Sequence, residues 1–182
     1  HCGEPEKGKD ALEAACKFVS DIYTFKSLYV RDRCVLKFGK MQSGNVRNAI
    51  SPFSRLDGTM RTFHDETWET LVNTMKSLGE EIEKVYGVKF DLDVSKSHPA
   101  VVNDEKLYAG VKPVLLDLNF VELRRPVMIA EDFSFFEQQM PGVFFFLGTG
   151  SGIPLHSDNY DFDDSVLIDA VILFDTLLKG AD

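Results

Sequence analysis

Long apolar runs, basic clusters and paired cysteines are all missing from this chain, and each absence excludes a class of function. No apolar stretch approaches the ~20 residues that span a bilayer. The first residues, HCGEPEKGKD, lack the charged-then-apolar layout of a secretory leader. The expectation is a soluble, cytoplasmic protein with no membrane partner. No cluster of Lys and Arg exceeds Arg124-Arg125, and the net charge is -9. A polyanion groove needs a basic footprint that releases counterions, so nucleic acid is excluded as a partner. Cys2, Cys16 and Cys34 are odd in number and never spaced C-x-x-C, which argues against a disulfide framework or a zinc knuckle. Cys16 falls on a helical apolar stripe and Cys34 at a strand start, so both read as small buried hydrophobes. Also absent are G-x-S-x-G, H-E-x-x-H and a glycine-rich phosphate loop, which leaves serine hydrolases, zincins and nucleotide-binding folds without local support.

What is present is an ordinary globular composition: 182 residues, 44% hydrophobic and 27% charged, a length that buries roughly 70% of the unfolded surface. From Asp10 the residues Leu12, Ala15, Cys16, Val19, Ile22 and Tyr23 recur at helical spacing, and Asp10 with Glu13 has the pattern of a capping box. Cys34, Leu36 and Phe38 then alternate with Val35, Lys37 and Gly39, and Leu56, Gly58 and Met60 with Asp57, Thr59 and Arg61. This predicts two half-buried antiparallel strands joined through SGNVRNAISPFS. A second helix starts near Asp65, presents Trp68, Leu71, Val72, Met75, Leu78, Ile82 and Val85 on one face, and stops at Gly87. Val88, Phe90, Leu92 and Val94 alternate with charged residues and predict a third strand with one wet face. One strand placed before His1 would complete the β-α-β-β-α-β order of a ferredoxin-like sandwich. After a break at SKSHPAVVND the pattern becomes that of an α/β layer. It predicts a helix from about Asp104, a strand at 120–123, a helix from Glu131, a buried strand at 143–147 and a last helix from Asp164. That last helix is apolar over much of its circumference, so it is expected to belong against a sheet that two strands cannot provide, the further strands being absent from these residues.

The strongest chemical signal lies between Val143 and Asp164. An apolar strand runs into a glycine-rich turn and presents one imidazole, His156, among Asp158, Asp161, Asp163 and Asp164, at a strand end of the kind where α/β folds place binding groups. His156 reads either as a metal ligand whose partners lie elsewhere or as a solvated ring. Asp163 and Asp164 read as caps of the next helix. Arg61 lies on the polar face of its strand, where a guanidinium fork can grip a carboxylate or form a cross-strand ion pair. Asn48 sits in a connection long for a hairpin, therefore functional or loose. Glu131 and Asp132 suit acid-base work or helix capping equally well. His64 and His98 have no partner at ligand spacing and read as structural or solvated.

Taken in order, HCGEPEKGKD, GNVRNAI, RLDGTMRTF, AEDFSFF, PGVFFFLGTG and LHSDNYDF resemble the aminoacylase, hippurate hydrolase and indoleacetyl-amino-acid hydrolase family of metal-dependent amidohydrolases, across all 182 residues. The resemblance implies an α/β fold in two parts. Residues 1–97 would be a ferredoxin-like α+β lid, or dimerisation domain, lacking its first strand, and residues 98–182 the C-terminal portion of a zinc-exopeptidase α/β domain. It implies that His156 is a metal ligand, that His1 is a catalytic histidine helping to hold the scissile carbonyl oxygen, and that Asn48 and Arg61 bind substrate, Arg61 through a carboxylate. It further implies a small-molecule N-acyl amino acid as substrate, a homodimer formed through the lid, and a pair of divalent metals, zinc with manganese or cobalt as substitutes. Such metals polarise the amide carbonyl and lower the pKa of a bound water towards ~7, while a glutamate carries its proton. The family's other metal ligands and that glutamate belong to the first half of its catalytic domain, so this chain alone is expected to hold no metal pair and to be inactive. Glu6 replaces the family's usual histidine, and Ile129-Ala130 stand where glycines are common. The competing reading is an autonomous, non-catalytic dimerisation module with His156 unliganded.

Overall fold

The computed structural model describes residues 1–95, 98–118 and 120–180, apart from the side chain of Asp117. It is a mixed α/β chain of two compact units, His1–Ala100 with Val127–Ala130, and Val101–Pro126 with Glu131–Asp182. The break at residues 95–104 includes Lys96 and Ser97, which lie outside the described residues.

In the first unit, α1 (Ala11–Tyr29) starts where the Asp10 carboxylate accepts the N–H groups of Leu12 and Glu13 at 2.9 and 3.1 Å. Its buried stripe is Ala14, Phe18 and Ile22, a strict i, i+4 row. Cys16 lies two residues from both Ala14 and Phe18, about 200° around the helix, and is exposed rather than buried. Its apolar neighbours in sequence suggest a place on the stripe, but the face that meets the sheet is centred elsewhere. Cys34 is half-buried, and that burial pushes its thiol pKa up, as suits a packing residue. The hairpin β1 (Cys34–Ser43) and β2 (Ser54–Thr62) pairs antiparallel from Cys34 opposite Thr62 to Ser43 opposite Ser54, with a bulge between Phe38 and Lys40. Leu36, Phe38, Leu56 and Met60 turn one face of the hairpin onto the helices.

The second helix, α2 (Asp65–Tyr86), buries Leu71, Val72, Met75, Gly79 and Ile82. It ends at Gly87, whose left-handed φ of 64° closes the last turn through an N–H donated to the Glu83 carbonyl. The loop before β1 is tied to the start of α2 by Asp32. Its carboxylate accepts the Thr67 hydroxyl (2.5 Å) and meets His64 Nδ1 (3.0 Å). The Thr67 bond first, and His64 second, hold the Asp32 carboxyl below the ordinary aspartate value of 3.8. A depressed carboxylate pKa adds stability that is fully present above the unfolded value and is lost as pH falls through the folded one. Asp32→Asn is therefore expected to leave stability unresponsive to pH between about 5 and 8 and to flatten the acid limb below about pH 4. Urea midpoints at successive pH values check it.

Residues 88–94 keep the expected alternation, with Val88, Phe90, Leu92 and Val94 packed on the core and the charged residues between them exposed. They form no ladder among the described residues, so the predicted strand is extended chain. In a β-α-β-β-α-β sheet the last strand lies beside the first, and no strand precedes α1 among the described residues.

In the second unit, α3 (Glu105–Leu115) is capped by the Asp104 carboxylate, which accepts the Leu107 N–H at 2.7 Å. The short α4 (Phe133–Glu137) and the terminal α5 (Val166–Lys179) follow. Residues 120–123 and 143–147, expected as strands, pair with no strand among the described residues. At Phe144 the Asn103 side-chain amide takes the place of a ladder, accepting the backbone N–H (2.9 Å) and donating to the carbonyl (3.4 Å). For α5 there is no sheet among the described residues, in keeping with the sequence's want of the further strands it needs. None of its residues is buried, and Leu167, Ile168, Val171, Phe174 and Leu178 are all more than half exposed. Only one side of α5 is partly covered, by α3, which leaves the rest of an all-round apolar helix exposed. No helix among the described residues is long and apolar enough to cross a membrane.

Candidate functional site

His1, Asn48 and Arg61 all belong to the first unit. The segment before α1 runs along the connection between β1 and β2. The Cys2 N–H donates to the Asn48 carbonyl (3.1 Å) and the Ala11 N–H to the Ser51 carbonyl (3.0 Å). The first of these bonds brings the backbones of His1 and Asn48 together across 47 positions of sequence (48 minus 1). The Gly3 N–H donates to His1 Nδ1 at 3.1 Å. A neutral imidazole that accepts at Nδ1 carries its proton on Nε2, so the exposed His1 ring offers an N–H donor to solvent. Asn48 is exposed as well.

The connection carrying Asn48 is closed at its mouth. Ser43 and Ser54 end the two strands opposite one another, and Ser54 Oγ donates to Ser43 Oγ at 2.7 Å. Ser51, only 5% exposed, bonds Ser43 Oγ (2.8 Å) and donates to the Phe53 carbonyl (2.6 Å). The long connection is thus hydrogen-bonded at its ends and at the Asn48 carbonyl.

Arg61 is half-buried opposite Val35 and donates from Nη1 to the Met128 carbonyl at 2.6 Å. Met128 belongs to Val127–Ala130, the short segment packed with the first unit and followed at once by Glu131 and Asp132. Among the described residues Arg61 makes no cross-strand ion pair; the acid on that strand, Asp57, pairs with Arg55 Nε at 2.9 Å.

His156 lies in the second unit, in a turn at residues 155–156, exposed. Around it the Ser157 N–H donates to the Pro154 carbonyl and the Tyr160 N–H to the Ser157 carbonyl, so consecutive turns present the ring outward. Neither Asp163 nor Asp164 caps the last helix through its side chain: Ser165 is the N-cap, and the Val166 and Leu167 N–H groups go to the Asp163 and Asp164 carbonyls. The Asp163 carboxylate accepts the Ser165 N–H at 2.9 Å, just ahead of the helix, and that backbone bond holds its pKa down. At α4 the capping groups are carbonyls: Ser134 donates its N–H to Glu131 O and Phe135 its N–H to Asp132 O. Among the described residues, no three His, Cys, Asp or Glu side chains lie together as a metal cage. His156 itself is an exposed imidazole.

A family model described as Peptidase family M20/M25/M40 matches residues 1–180. The chain belongs to this family. Among relatives, it is similar to an uncharacterized hydrolase of Staphylococcus aureus strain bovine RF122 / ET3-1, 27% identical over 190 aligned residues that cover 99% of this chain and 50% of the relative. The M20 chain thus spans about half the length of the curated relatives it matches. Its fold is similar to that of aminopeptidase PepT from Bacillus cereus, with a TM-score of 0.81 at 18% identity over 99% of this chain and 48% of the other. It is also similar to a dinuclear metal binding peptidase of the M20 family from Bacillus subtilis, with a TM-score of 0.75 at 22% identity over 94% of this chain and 46% of the other.

Two features of the M20 chain's first unit escape sequence reasoning. The Met128 carbonyl that holds Arg61 is backbone and has no residue signature. The serines at positions 43, 51 and 54 have a faint one, a hydroxyl at each strand end flanking the connection.

Proposed function

We propose that this M20 chain is the lid and C-terminal part of a divalent-metal hydrolase that cleaves the amide bond of N-acyl amino acids. The observation that carries the reading is the Gly3-to-His1 hydrogen bond, which leaves Nε2–H of an exposed ring free to donate, beside the equally exposed Asn48. An N–H donor in that place suits a carbonyl oxygen that gains negative charge as its amide is attacked. In this reading His1 holds the carbonyl oxygen, Asn48 orients the substrate through its side-chain amide, and Arg61 takes the substrate carboxylate. With Nη1 given to Met128, the Arg61 guanidinium keeps further N–H donors for an anion. His156 is one ligand of a pair of divalent ions, zinc or the related manganese or cobalt. When bound, the ions supply Lewis-acid polarisation of the carbonyl and a water made acidic enough to attack near neutral pH. The working assembly is a homodimer formed through the lid.

The test is metal content and turnover of the enzyme that carries this sequence. Two divalent ions per protomer together with hydrolysis of N-acetyl or N-benzoyl amino acids is the expected result. Folded protein with neither metal nor turnover would return the chain to the reading of a dimerisation module. Arg61→Ala is expected to raise KM for carboxylate substrates about tenfold, the value of one charge-assisted hydrogen bond. KM for the matching carboxamides should stay unchanged, and equal KM changes for acid and amide would remove Arg61 from the carboxylate.

A further inference from the structure

We infer that Ser43 and Ser51 are positioning residues, a hydroxyl clasp that sets the Asn48 loop for substrate; the inference rests on the substrate role given above to Asn48. A connection of this length, left to itself, samples many conformations, and an exposed side chain upon it would bind a ligand only after losing that freedom. Here hydrogen bonds tie the connection at several points. The Ser51 side chain is withdrawn from solvent, and its hydroxyl reaches two partners at once, Ser43 Oγ at 2.8 Å and the Phe53 carbonyl at 2.6 Å. Ser43 Oγ in turn accepts from Ser54 Oγ at 2.7 Å and lies 3.2 Å from the same Phe53 carbonyl. The clasp therefore joins the last residue of β1, the first of β2 and a buried point on the loop between them.

The loop is pinned from its other side by the backbone bonds Cys2 to Asn48 and Ala11 to Ser51. Ser51 thus belongs to both sets of restraints, through its hydroxyl to the hairpin and through its carbonyl to the start of α1. Between these anchors stands the exposed Asn48. Ser51 lies eight positions after Ser43 and three before Ser54 (51 minus 43, 54 minus 51), so its hydroxyl joins the β2 side of the connection to the end of β1.

The experiment is steady-state kinetics on the metal-loaded enzyme that carries this sequence, comparing Ser43→Ala, Ser51→Ala, Ser43→Thr and Asn48→Ala. Ser43→Ala and Ser51→Ala are each expected to raise KM about tenfold, one hydrogen bond's worth of lost preorganisation, with kcat within about twofold. Ser43→Thr keeps the hydroxyl and should restore the wild-type KM. If Asn48→Ala raises KM while both serine-to-alanine variants keep it unchanged, the clasp is a fold element only and the inference fails alone. If Asn48→Ala leaves KM unchanged, the substrate role of Asn48 fails and takes the clasp with it. A purely structural role would lower the active fraction, and so kcat, at constant KM; that pattern also overturns the inference. Ser43 is only half-buried, so its alanine variant keeps the test open should Ser51→Ala not fold.

Discussion

Replacing His156 by Ala in the metal-loaded enzyme that carries this sequence is expected to lower kcat/KM by about 10³-fold or more and to lower bound metal below two ions per protomer. Substitution of residues that merely support a metal ligand costs about 10- to 100-fold in affinity or activity. Loss of a ligand itself removes a donor from the ion and should exceed that range. The ring can be removed without disturbing packing, since His156 stands exposed in a turn closed by backbone bonds of its neighbours. A melting temperature equal to wild type, both proteins being compared metal-free so that loss of bound ion does not itself lower it, is therefore part of the expected result, and it separates metal loss from unfolding. Metal analysis by mass spectrometry beside kinetics on an N-acetyl amino acid reads both quantities. Full metal content and undiminished turnover in His156→Ala would remove this residue from the metal site.

Gly79→Ala is expected to destabilise the first unit by up to about 3 kcal/mol, the upper end of the range for overpacking a core. Intrinsic helix propensity points the other way, since Ala is favoured over Gly by about 1 kcal/mol in a helix interior. Sterics decide the sign. Gly79 is buried in the middle of α2, and a Cβ built there overlaps the ring of Phe90. That ring has little freedom to retreat: the Phe90 N–H is held by Glu83 Oε1 at 2.7 Å, and its ring lies 5.1 Å from that of Phe18. The prediction is sharpened by the double variant. With Phe90→Ala already present, Gly79→Ala should become neutral or stabilising by up to about 1 kcal/mol, because only propensity is left. Trp68, the single tryptophan, packs against the same core and reports urea unfolding of this unit by fluorescence. A cost for Gly79→Ala that survives Phe90→Ala unchanged would place the conflict somewhere other than this ring.

Helix signals carried by a few adjacent residues are legible in the amino-acid order alone. Asp10 caps α1 and Gly87 ends α2 as their residue types demand, and the inward face of the hairpin follows from strict alternation. The alternation at residues 88–94 also indicates which side chains face the core, although no ladder forms there, because side-chain period and backbone pairing are separate properties. Alternation states which way side chains point; hydrogen-bonded pairing depends on which chain lies alongside.

The sequence by itself determined the family-like motifs, the two helices and hairpin of the first unit, and the residue types suited to a carbonyl, a carboxylate and a metal ion. Only the tertiary structure decided that Cys16 faces solvent, that Arg61 spends one N–H on the Met128 carbonyl, that three serines close the Asn48 loop, and that His1 and Asn48 meet through Cys2. The division has a physical cause. Caps, periodicity and turns arise from interactions within a few residues, which leave a local pattern of residue types. A bond to a backbone carbonyl 67 positions away in sequence is set by packing and leaves no such pattern, since every residue type offers the same carbonyl.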